Sequence, residues 1–299
     1  MVQREDIQIP SEGEILDAWL YPAAGATAGK PSPSIVLDHG LGGVKEMRLD
    51  AYCEHFSQAG FVCVAFDYRY WGKSTGEPRG LIDVELQIED WNNVINYVSK
   101  LPQVDAQRIG VFGSSFGGGH VIRLAATNPL VRATVSQCPF TDGLASARTV
   151  GLLPLPKLAL LSLWDTFFSS KNEPVRVPLL GKPGEAALLN TPDCVAGCRS
   201  LLPPGVDKFD IEAIPARLVL HFPFLYPGTY ARRVPTPILF AICGSDSVAP
   251  PGPTLSYARQ APKGVIQMYS GVGHFDIYTG KAFEQAVTNY TAFYRANLQ

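Results

Sequence analysis

Residues Val111 to His120 read "VFGSSFGGGH", which sets Ser115 between glycines in the pattern Gly113-Ser114-Ser115-Phe116-Gly117. The pentapeptide G-x-S-x-G follows an apolar, β-branched run beginning at Arg108 and opens a segment of helical period. That setting is what a nucleophile elbow requires. Glycines on either side let the backbone turn sharply without Cβ clashes, and the helix start supplies N–H groups and a dipole that favour developing negative charge. Alone, the pentapeptide is a weak signal, because glycine-rich turns produce it by chance. After a strand and before a helix it makes Ser115 a candidate nucleophile.

A serine hydroxyl is a poor nucleophile at neutral pH and needs a base within hydrogen-bond reach and an acid that orients the base. Downstream, the strand-like run "PILFAICG" ends in Ser245-Asp246, and "GVIQMYS" runs into Gly271-Val272-Gly273-His274. Both groups fall on loops after strands, the edge where open α/β sheets build their sites. His274 is therefore the candidate base and Asp246 the candidate acid. Asp142, just after the strand "RATVSQCPF", competes with Asp246. Of the other histidines, His55 reads as a helix surface residue, His221 lies in the irregular middle of the chain, His120 packs behind the elbow and His39 braces the loop "HGLGG". That loop follows the strand "SIVLD", so its Leu41 N–H and the N–H of Phe116 are the candidate oxyanion donors.

Outward from the elbow, short β-branched runs alternate with helical segments, the pattern of a mostly parallel sheet wrapped by helices. "DIQIP" and "EILDAWLY" form an expected antiparallel edge hairpin, a helix is expected near Met47 to Ala59, and Leu81 to Leu101 carries Val84, Ile88, Trp91, Val94, Ile95, Val98 and Leu101 on one face. The alternation stops between Thr141 and Pro235. A stretch that long is no plain loop. The expected organisation is a core domain of residues 1–140 and 236–299 with an inserted, mostly helical cap over 141–235. The cap is rich in Leu, Phe and Pro and points to an apolar pocket wall, with Leu160, Trp164 and Phe167 expected either to face the substrate or to seal the cap against the core.

Composition excludes other classes. The 299 residues carry 25 Lys+Arg against 27 Asp+Glu and no long basic cluster, so no field gathers nucleic acid or anionic lipid. The most apolar run, Gly151 to Trp164, is too short to cross a bilayer of ~30 Å and is broken by Pro154, Pro156 and Lys157. The N-terminal stretch has no signal-peptide core, which points to a cytoplasmic protein. The six cysteines lie mostly in apolar runs and read as reduced structural thiols. Cys194 and Cys198 lack a second ligand pair for zinc. No metal or organic cofactor is expected; the partner is a small-molecule substrate, and a homodimer is compatible with the composition.

The combination of "HGLGG", "GSSFGG", "GSD" and "GHF" in this order resembles the α/β-hydrolase superfamily across the whole chain, where the order is nucleophile, acid, base. More narrowly, "DYRYWGKSTGEPR" with "SFGGGH" resembles the Xaa-Pro-peptidase-like hydrolases and the fungal polyketide transferases. Tyr70-Trp71 replaces the glycine common in that loop. The pair is expected either to line the pocket, as His120 and Trp164 are, or to pack. The resemblance implies acyl chemistry on a small apolar ester, thioester or lactone, by hydrolysis or acyl transfer. The alternatives are C–C cleavage or cyclisation by the same triad, or a binding protein that lost turnover.

Overall fold

The computed structural model of the chain describes residues 4–299 except 24, 26, 28, 171, 207, 209 and 210. In chain order its elements begin with β1 (Glu5–Ser11), β2 (Glu14–Tyr21), β3 (Ser32–Asp38), α1 (Leu49–Gln58), β4 (Val62–Phe66), α2 (Val84–Val98), β5 (Val104–Ser114), α3 (Phe116–Thr127) and β6 (Val131–Gln137). There follow α4 (Gly143–Ala147), α5 (Leu155–Phe167), β7 (Arg176–Pro178), α6 (Cys194–Ser200), β8 (Ala213–Pro215) and α7 (Leu218–His221). The chain then returns to β9 (Ile238–Cys243), α8 (Pro251–Ala258), β10 (Gly264–Tyr269) and α9 (Gly280–Leu298).

Eight strands form one sheet in the order β1-β2-β4-β3-β5-β6-β9-β10. From β4 to β10 the neighbours are parallel, and β1 and β2 are an antiparallel hairpin at one edge, as the sequence pattern predicts. Strands with helices on both faces are apolar throughout, and β4 and β9 are buried at every position for that reason. Two cores result. Trp91, Val94 and Ile95 of α2 and Val121 and Ile122 of α3 pack on one face. Tyr52 and Phe56 of α1 and Phe283, Tyr290 and Tyr294 of α9 pack on the other.

α2 begins at Val84 because Asp83 caps it, accepting the N–H groups of Glu85 and Leu86 at 2.9 and 3.2 Å. The segment between β6 and β9 carries α4 to α7, and also an antiparallel β7/β8 ribbon that the sequence pattern does not announce. Prolines at 174, 178, 183, 192, 203, 204 and 215 break the helical runs there. No described helix is long and apolar enough to cross a membrane.

Candidate active site

Ser115 sits between the last residue of β5 and the first of α3 with φ +54° and ψ −116°, a conformation L-residues rarely adopt and one that costs roughly 1–3 kcal/mol. Backbone bonds hold it there: its N–H donates to Gln137 O at 2.9 Å, and its carbonyl accepts from Phe140 N–H at 2.8 Å. A Cβ at Gly113 would stand 2.2 Å from Gly117 O, and one at Gly117 would stand 2.3 Å from His39 O. The flanking glycines are thus required by close backbone approach. Below the turn, Gln137 donates to Ser114 Oγ at 2.9 Å and accepts from the hydroxyls of Tyr52 and Tyr290, so the elbow rests on a satisfied buried network.

The loops after β9 and β10 bring the other two groups in. His274 Nε2 lies 3.0 Å from Ser115 Oγ, and its Nδ1 lies 2.7 Å from Asp246 Oδ2. Asp246 Oδ1 accepts the N–H groups of Val248 and Ala249 at 2.9 and 2.7 Å, which fixes the carboxylate toward the imidazole. The three residues 115, 246 and 274 come together from sequence positions far apart. Asp142 does not join them; it caps α4 by accepting Ala145 N–H at 2.9 Å.

Burial of the His274 ring works against protonation, but the Asp246 carboxylate outweighs that cost and raises His274 from 6.5 to about 9. With the neutral ring as the base, kcat/KM is expected to rise with pH along a limb centred near 9 and to level off only above it. In Asp246→Asn the largest charge favouring protonation is gone while the burial cost remains, so the limb should move to lower pH; a pH profile of both proteins checks this. The same shift carries a stability consequence. Protonated His274 stabilises the fold fully below pH 6.5, and that contribution is lost as pH rises through about 9.

The loop after β3 reaches Ser115: a Cβ on Gly40 would stand only 2.6 Å from Ser115 Cβ. Asp38 Oδ1 accepts His39 N–H at 2.5 Å and so braces the start of this loop. Leu41 and Phe116 both line the cavity beside Ser115. The N–H of Phe116 lies in the first turn of α3, where no intrahelical acceptor exists.

The cavity, about 60 Å³, is walled by Leu179, Leu188, Leu201 and Phe222 from the segment between β6 and β9, and by Phe140 and Phe275 from the loops. The four residues expected to line it lie elsewhere. Trp71 is buried with its Nε1–H donating to Leu81 O at 3.0 Å, and Tyr70 is hydrogen-bonded through its backbone to Thr75 and Gly80; the loop is held by Asp67 and Lys45 as a brace. His120 is packed edge-on against Phe116 and bonds Gln87 Oε1 at 2.8 Å through Nε2. Burial lowers it to about 3, which keeps it neutral. Trp164, with Leu160 and Phe167, lies on the outer face of α5, turned to solvent because Leu158, Ser162 and Asp165 occupy the inner face. Four of the wall residues, Leu179, Leu180, Leu188 and Leu189, lie in "PLLGKPGEAALLN", residues 178–190, whose leucine doublets were the available signal.

His39 is buried and stacked near Tyr278, and burial lowers it to about 4. All six cysteines are free thiols. Among the described residues, Cys138, Cys243 and Asp246 bring potential ligand atoms within 4.8 Å of one another, but Asp246 already accepts from two backbone N–H groups and pairs with His274.

The family model described as "Alpha/beta hydrolase family" matches residues 35–286. The chain is similar to the quorum-quenching protein AidA of Acinetobacter baumannii, 42% identical over 289 residues, 96% of this chain and 93% of the relative. It is similar to the polyketide transferase af380 of Aspergillus fumigatus, 26% identical over 302 residues, 99% of each chain, which bears out the resemblance read from "DYRYWGKSTGEPR" and "SFGGGH". The solved structure of the alpha/beta hydrolase GrgF from Penicillium sp. sh18 superposes with a TM-score of 0.81 at 22% identity, covering 99% of both chains.

Proposed function

Since the chain belongs to the α/β hydrolase family and is an enzyme of the hydrolase or acyltransferase type, we propose that Ser115 forms an acyl-enzyme from a small apolar ester, thioester or lactone. The observation that carries this reading is the aligned set Ser115 Oγ, His274 and Asp246 at 3.0 and 2.7 Å beside an apolar cavity. Ser115 Oγ attacks the carbonyl carbon while His274 Nε2 takes its proton. The tetrahedral oxyanion is held by the N–H groups of Phe116 and Leu41, and His274 then returns the proton to the leaving alkoxide or thiolate. Water or an acceptor alcohol, deprotonated by the same imidazole, releases the acyl group. Residues 141–235 act as the lid over a core of 1–140 and 236–299, and the catalysis uses no metal or cofactor.

A cavity far below the ~300 Å³ of a drug-sized pocket supports a short acyl group. The name of the Acinetobacter relative adds a quorum-sensing signal to the candidate substrates. Labelling with a fluorophosphonate probe tests the nucleophile: covalent mass on Ser115 supports the reading, and no labelling of a folded protein refutes it. Substrate choice is tested by a series of nitrophenyl esters and thioesters. In that series Leu189→Ala, which trims the cavity wall, is expected to raise the preference for a longer over a shorter chain by ~10-fold or more. Trp164→Ala should leave the preference unchanged.

A further inference from the structure

The outer face of α5 and the turn before it present an apolar surface that the site does not use. Leu152 and Leu153 are 85% and 81% exposed, Leu160 64%, Trp164 56%, Phe167 70% and Phe168 75%, and Leu155 and Leu163 are exposed beside them. Leu160, Leu163, Trp164 and Phe167 stand at i, i+3, i+4 and i+7, so they form a single ridge on the helix. The helix cannot roll to bury it. Asp165 on the inner face accepts the N–H groups of Val175 and Arg217 at 2.8 and 2.9 Å and pairs with the Arg217 guanidinium at 2.8 Å, while Ser162 Oγ accepts Leu220 N–H at 3.2 Å. Rolling would strand a buried carboxylate, which costs several kcal/mol.

At ~100 Å² or more for each of these large side chains, the ridge and its flank expose on the order of 800 Å², above the ~300–600 Å² of the largest patch on a monomer. We propose that this face is a homodimer interface, with α5 packed against α5 of a second copy about a two-fold axis. The area matches the ~800 Å² that each partner contributes to a standard interface. One helical ridge can meet its own copy, each set of side chains filling the gaps of the other, which is the geometry of an isologous contact. The charges fit a protein partner and not a lipid surface. Lys157 is the one cation on α5, the exposed charges of the flanking segments, Arg148, Glu173, Arg176, Lys182 and Glu185, are of both signs, and the chain carries a net charge of −2. A helix that lies on a membrane presents a Lys- and Arg-rich polar face instead. The contact also has a route to the site: α5 holds Val175 and Arg217, which flank β7 and β8, and β7 leads into Leu179 of the cavity wall.

Sedimentation velocity of the full chain over a wide concentration range tests this, with Trp164→Glu/Phe167→Glu and Leu160→Glu as variants. The substituted side chains are exposed, so circular dichroism and the thermal midpoint of a monomer should change little. Wild type is expected to sediment as a dimer, and the double variant as a monomer with a dimer dissociation constant raised by ~100-fold or more. A wild type that stays monomeric at every concentration, or variants that dimerise as well as wild type, overturns the proposal. Flotation of wild type but not the variants with phosphatidylcholine/phosphatidylglycerol vesicles overturns it in favour of a lipid surface.

Discussion

Replacing Ser115 by Ala is expected to reduce kcat by on the order of 10⁴- to 10⁶-fold on any ester the wild type cleaves, because the covalent route closes and only binding and oxyanion stabilisation remain. The fold should persist, since alanine keeps the Cβ and both backbone hydrogen bonds, to Gln137 and from Phe140, are made by the main chain. Labelling by a fluorophosphonate should vanish with the activity. The check is single-turnover kinetics on the most reactive nitrophenyl ester together with intact-protein mass. A variant that retains even a hundredth of wild-type turnover would move the nucleophile away from Ser115.

Asp246→Asn is the second large effect: turnover should fall by on the order of 10³- to 10⁴-fold with little change in KM. An amide at the Asp246 position offers N–H as well as oxygen to His274 Nδ1 and no longer secures the tautomer in which Nε2 is free to accept the Ser115 proton. Asp142→Asn should leave turnover within a fewfold of wild type, because Asp142 caps α4 and makes no contact with the imidazole there. If the two variants exchanged these results, the acid would come from the loop after β6 and not from the loop after β9. Parallel steady-state measurements of the pair decide it.

Much of the site was legible in the linear sequence for a local reason. The elbow is a strand, a turn and a helix in immediate succession, and backbone crowding at Gly113 and Gly117 leaves their identity in the sequence. His274 and Asp246 were legible because each follows a strand end, and parallel strands bring all their C-terminal ends to one edge. Asp142 also follows a strand end. The local pattern could therefore not choose between the carboxylates; the choice lies in the hydrogen bonds that Val248 and Ala249 make to Asp246.

The cavity wall was legible only in composition. Size and hydrophobicity drew attention to Tyr70, Trp71 and Trp164, yet Trp71 is packed under a braced loop and Trp164 faces outward. What turns α5 so that its largest apolar side chains point away from the cavity is the pairing of Asp165 with Arg217, 52 residues later. The wall itself, from Leu179 to Phe222, is assembled around the β7/β8 ribbon, whose strands are three residues each and are separated by proline-broken chain. By itself, then, the sequence determined the sheet, the elbow and the candidate nucleophile and base, because strand period, glycine crowding and loop position are local properties. Which carboxylate meets the imidazole, and which apolar residues wall the cavity beside Ser115, only the tertiary structure decided, because both depend on long-range hydrogen bonds and on which face of a helix an ion pair turns inward.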